Sequence, residues 1–200
     1  MARPIADLRE DLKRIVRVLS DLAPSLRAGV VAYRDRDRES GYETRVFDPQ
    51  EMTPPGLDAL QAFIDELRPG GGGDWPEAVE VALARAASFR WRSDAKLRVV
   101  LIGDAHPRRL QWDAAFAAIE SLRAAPGAPG ATRRVSVIYP PQSEQGLRNA
   151  SPAKRRIHET SARFMALAAD RGGGRCVEFT PGRRLEQVLL SVIEQGDFAG

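Results

Sequence analysis

Carboxylates at the tips of loops do the plainest chemistry this chain offers. Pro69-Gly-Gly-Gly-Gly-Asp-Trp-Pro-Glu-Ala78 is a glycine loop that turns into a helix, and Leu101-Ile-Gly-Asp-Ala-His-Pro107 is an apolar strand that ends on an acid. Together they place Asp74 and Asp104 at neighbouring loop tips on one edge of a parallel sheet, where open α/β folds bind ligands. A carboxylate-lined rim suits a hard divalent cation. The glycine loop lacks the Gly-Lys-Ser/Thr ending of a triphosphate cradle.

Each acid has a plainer reading. Asp74-Trp75-Pro76-Glu77 is also a capping pattern, with Asp at the N-cap, Pro in the first turn and Glu three residues on. The positive end of a helix favours a carboxylate over a cation. Asp104 could merely accept hydrogen bonds from a neighbouring loop. His106, two residues on, reads as a solvent-facing rim histidine, and His158 in Lys154-Arg-Arg-Ile-His158 as part of a solvated basic helix start. Arg34 and Asp35 should stand at the top of the sheet, for partner contact or a plain turn ion pair. Of the three tryptophans, Trp75 is the candidate for exposure beside the rim.

Composition narrows the classes. The 200 residues suit one domain, and 43% hydrophobic with 28% charged residues is a globular mixture. A net charge of +3, with arginines scattered rather than striped, argues against nucleic acid. No apolar run approaches the roughly 20 residues of a bilayer span, and the N-terminus has no signal-peptide core. The compartment stays open: cytoplasmic by default, extracytoplasmic if a longer N-terminus carries a signal. The single cysteine, Cys176, excludes an internal disulfide and reads as a buried, inert thiol in a strand.

The elements that position these residues follow from periodicity. Ile5, Leu8, Leu12, Ile15, Val16, Leu19 and Leu22 recur at helical spacing. Leu26 to Tyr33 and Tyr42 to Phe47 read as an antiparallel edge hairpin. Helices are predicted over Leu57 to Leu67, from Pro76 onward, over Asp113 to Ala124, Ala153 to Asp170 and Arg184 to Phe198. Leu97 to Ile102 reads as a strand covered on both faces. Val135 to Tyr139 is another buried strand, and Arg175 to Phe179 a last one. The alternation predicts a doubly wound, mostly parallel sheet with one antiparallel edge hairpin and helices on both faces.

Three motifs in this order, Gly29 to Asp35, Gly71 to Ala78 and Leu101 to Ala105, resemble the bacterial von Willebrand factor A (vWA) domain over essentially the whole length. The resemblance implies a Rossmann-like three-layer sandwich and a protein-interaction module rather than an enzyme. It implies Mg²⁺ (or Mn²⁺ or Ca²⁺) at a metal-ion-dependent adhesion site, completed by an acidic side chain of a partner protein. Asp104 would be the third-loop carboxylate, with the second-loop position falling in Gly72-Gly-Asp74, where no Thr stands.

The chain departs from the family at its start. The first, central strand and its Asp-x-Ser-x-Ser loop are absent, and Met1 falls where that loop would end. A coding start assigned too far downstream, or a truncated gene, is the expectation, and with it a marginal, aggregation-prone chain or one that depends on a strand from elsewhere. The adhesion site would then be partial. Two rival classes remain: a metal-assisted hydrolase using Asp104 and His106, and a small-nucleotide binder using Gly70 to Gly73 at a helix start.

Overall fold

The computed structural model describes residues 2–23, 25–34, 43–68, 76–124, 131–140, 148–179 and 184–193. Helix α1 (Ala2–Leu22) leads into the hairpin of β1 (Arg27–Tyr33) and β2 (Thr44–Glu51). Helices α2 (Pro54–Glu66) and α3 (Val79–Ala87) follow, then β3 (Leu97–Ile102), α4 (Trp112–Ala124), β4 (Arg133–Tyr139), α5 (Pro152–Arg171), β5 (Gly173–Glu178) and α6 (Leu185–Ile193).

Sequence expectation and structure agree on the architecture and part locally at element ends. Strand β2 continues past Phe47 because Asp48-Pro49 is absorbed as a register shift opposite Gly29, and an outer strand tolerates a proline there. Helix α2 begins at Pro54, since prolines in a first turn give up N–H groups that have no intrahelical acceptor anyway. Ser151 caps α5 by accepting the Lys154 N–H at 3.3 Å. Gly172 closes that helix, and Gly173, at φ +60°, makes the left-handed turn into β5.

The sheet is in two pieces. Strands β1 and β2 form one, and β3-β4-β5 form a parallel trio. Among the described residues no ladder joins β1 to β3, and the two strands run the same way. Near their starts the Arg92 Nη1 donates to the Ser25 carbonyl at 3.1 Å, and at their ends the Tyr33 hydroxyl donates to the Ile102 carbonyl at 3.0 Å. β3, expected to be covered on both faces, is only half-buried at Val99, Val100 and Ile102, whereas β4 is buried from Val135 to Ile138. The difference is position: β4 has a neighbour on each side and β3 has one.

Helices cover both faces. On one, α3, α4 and α5 bury Val79, Leu83, Phe116, Ile119, Leu122, Phe164 and Met165 against Leu97, Leu101, Val135 and Val137. On the other, α1 packs Ile15 against Ile138 and α6, while its Leu12 and Val16 meet Leu60 and Ile64 of α2. Thus α1 spans the break on one face and the α3–α4 pair spans it on the other. From the break the chain steps outward through α4 and α5 in one direction. The β1–β2 hairpin lies on the other side of the break and is reached from α1, on the opposite face. That reversal is the switch point of an open α/β sheet, and the loops at its C-terminal edge form the natural crevice.

Candidate site at the carboxyl edge of the broken sheet

Three segments meet at that edge. Strand β1 ends on Tyr33 and Arg34, β3 ends on Ile102-Gly103-Asp104, and Pro76 to Ala78 lies between them. The Ala78 N–H donates to the Arg34 carbonyl and the Glu77 N–H to the His106 carbonyl, each at 3.3 Å. This pins both strand ends to the entry of α3. The helix itself starts later than the capping pattern predicts: Ala78 occupies the N-cap, with no side-chain cap, so an Asp74 cap is not how α3 begins. Asp74, Trp75, Asp35 and Gly70 to Gly73 lie outside the described residues.

Asp104 is half-buried. Its charge reaches two partners that sequence reading did not connect to it. Tyr33 is held well above its ordinary value of 10, chiefly by burial and then by the carboxylates of Glu77 and Asp104. His158, on the second turn of α5, is held below its ordinary 6.5 by burial and by Lys154, while Asp104 pulls it back up. The expectation of a solvated His158 is therefore corrected, since the imidazole is half-buried within reach of the Asp104 carboxylate.

His106 is likewise half-buried rather than solvent-facing. Its Nδ1 lies 2.7 Å from the Pro107 carbonyl, which can only accept, so that nitrogen carries the proton. The same carbonyl accepts the Trp112 indole N–H at 3.1 Å, and the two rings meet edge to face. Arg34 donates through Nη2 to the Arg68 carbonyl. Beside this loop Leu110 is 96% exposed, an apolar side chain that periodicity had not marked. The signal was available, because a leucine follows Pro107-Arg-Arg where no helical or strand period runs.

Cys176 overturns its expectation. It is exposed on β5, because that strand is the outer edge of the trio and only its inward alternation is covered. Partial burial and the nearby Glu178 still push the thiol up. Among the described residues no group of three or more His, Cys, Asp and Glu is placed to hold a metal ion. None of the described helices is long and apolar enough to cross a membrane.

A doubly wound α/β sandwich with an acid at its switch-point edge is the class that fold and geometry define. No family model matches the chain, and no curated protein does. Solved structures do. One is a crystal structure of the conserved hypothetical protein BatB from Bacteroides thetaiotaomicron, 15% identical, with a TM-score of 0.57 over 96% of this chain and 87% of that one. Another is an aerotolerance-related membrane protein from Bacteroides fragilis, 18% identical, with a TM-score of 0.53 over 94% and 88%. At such identities the likeness is one of fold, and it agrees with the doubly wound α/β sandwich that the alternation of elements predicts.

Proposed function

We propose that this chain is a vWA-like protein-interaction module that engages another protein at the carboxyl edge of its sheet, around Asp104. One observation carries the reading: the loops after β1, before α3 and after β3 converge at the switch point, with a half-buried carboxylate among them. Leu110, almost fully exposed on the same loop, supplies the kind of apolar anchor that interfaces bury. The fold likeness to the two Bacteroides proteins is consistent with this reading.

The divalent cation is a separate matter. Mg²⁺ requires near-octahedral oxygen coordination, and Ca²⁺ takes more ligands still. Among the described residues Asp104 stands without a second and third ligand group, so they do not by themselves fit the ion. An ion-completed site requires oxygens from outside these residues, Asp74 among the candidates.

The test is affinity capture followed by mass spectrometry, with Asp104→Ala and Leu110→Ala compared with Arg134→Ala at the opposite edge. Both rim variants should lose the same partner, with affinity falling about 30-fold for a central contact of about 2 kcal/mol. Arg134→Ala should retain it. Undiminished capture by the rim variants refutes the reading. Mn²⁺-induced broadening of amide signals addresses the ion: broadening centred on Asp104 supports a metal at this edge, and its absence leaves a metal-free contact.

A further inference from the structure

Arginines that look scattered along the sequence are gathered by the fold at the amino edge of the parallel trio, the edge opposite Asp104. An open cleft of about 730 Å³ lies there, between the last turn of α4, the start of β4 and the turn from α5 into β5. Glu120, Arg123, Arg133 and Arg134 supply its charged walls, and Ala131 and Gly173 leave it room. Residues 125–130, which join α4 to β4 in sequence, read Ala-Pro-Gly-Ala-Pro-Gly and bring no charge. Among the described residues of the lining, three arginines face one acid. That acid, Glu120, already pairs with the Arg171 Nη1 at 3.2 Å.

Arg123 is fixed in place. Its Nη1 donates to the Arg171 carbonyl at 2.8 Å, tying the end of α4 to the end of α5. Its guanidinium lies along Gly173, where an added Cβ would come within 3.2 Å of the Cζ and Nη2 atoms. With Nη1 engaged and one side covered, the Nε–Nη2 edge is the fork that remains, and among the described residues no protein acceptor meets it. Two N–H donors in that planar geometry match two oxygens of a carboxylate or a phosphate. Arg133 is tethered as well, its Nη2 donating to the Arg92 carbonyl at 3.3 Å. The negative end of α5 does not oppose an anion here. Its Arg171 and Gly172 carbonyls are taken by Arg123 and by the Val135 N–H.

We infer that this cleft binds a phosphomonoester through the Nε–Nη2 fork of Arg123, with Arg133 and Arg134 supplying further positive charge. Charge selects the class. A phosphomonoester carries about −1.5 to −2 at pH 7. That matches a lining with an excess of two arginines, whereas a carboxylate brings a single charge. None of the described lining residues is aromatic, so the cleft reads the phosphoryl group and offers no stacking surface for a base. The site lies away from the interaction surface at Asp104 and does not rest on it.

The test titrates glycerol phosphate into the 200-residue chain and follows the Thr132 and Gly173 amide signals with the Arg123 Nε–H. Saturable shifts centred on these groups are expected. Arg123→Lys keeps the charge and loses the fork, and should weaken binding by about tenfold or more. Arg134→Gln leaves the Arg123–Arg171 contact intact and should weaken it too, so the result does not hang on the folding of one variant. Arg155→Gln, an equal loss of charge in the first turn of α5, should bind as the native chain does. A second arm measures co-sedimentation with phosphatidic acid vesicles. Retention there without shifts from the soluble ester, abolished by Arg123→Lys, would place the phosphoryl group on a lipid headgroup. Neither shifts nor retention overturns the inference. So does acetate moving the same signals as strongly, or Arg155→Gln losing as much as Arg123→Lys.

Discussion

The Tyr33 hydroxyl lies 3.0 Å from the carbonyl oxygen of Ile102, a residue 69 positions away in sequence, and joins the ends of two strands that share no ladder. Tyr33→Phe removes that donor and leaves a part-buried carbonyl without it. Stability should fall by about 1 kcal/mol. In a chain of this length that is about 2–4 °C of melting temperature, read by calorimetry or circular dichroism. An unchanged transition would mean that water replaces the phenol at no cost.

Gly103 is shaped to that tyrosine. A Cβ at Gly103 would run into the Tyr33 hydroxyl, while its contact with the ring carbon beneath, at 3.4 Å, is ordinary. Gly103→Ala should therefore destabilise the native chain by about 1–3 kcal/mol and cost much less in the Tyr33→Phe background. Additive losses in the double-mutant cycle would show that the clash lies elsewhere.

Alkaline pH should act through the same side chain. Tyr33 keeps its proton in the fold to a higher pH than in the unfolded chain, where its value is about 10. Above pH 10 the unfolded state releases protons first, so rising pH favours unfolding. The advantage of the native chain over Tyr33→Phe should be complete below pH 10 and fade above it, as read from paired denaturant titrations.

His158 reports on Asp104. The imidazole titrates below 6.5 in the fold, so its neutral form is favoured there, and its contribution to stability is present above 6.5 and lost as pH falls. Asp104→Asn removes a carboxylate that draws the value upward. The His158 resonances should then titrate at lower pH than in the native chain. An unshifted curve would separate the two groups.

Cys176 should be slow to alkylate despite its exposure, because burial and Glu178 both disfavour the thiolate. Iodoacetamide at pH 7 should modify it more slowly than free cysteine, and Glu178→Gln should raise the rate.

Local pattern carried much of this molecule. Leu12, Ile15, Val16 and Leu19 recur at helical spacing, and the structure turns that face to the core. Leu97 to Ile102 is a strand with the bounds its aliphatic run implies. The ordering of strands and helices sufficed for a doubly wound sheet, because each element buries a face that its own period already marks. The tertiary structure decided what no period records. It put Tyr33 across a break from Ile102, drew His158 toward Asp104, left Cys176 on an outer edge, and moved the start of α3 to Val79 despite a capping pattern upstream. These depend on contacts between distant segments and on which strands gain neighbours. Side-chain spacing encodes the face a residue turns to, and only the assembled sheet sets what stands opposite that face.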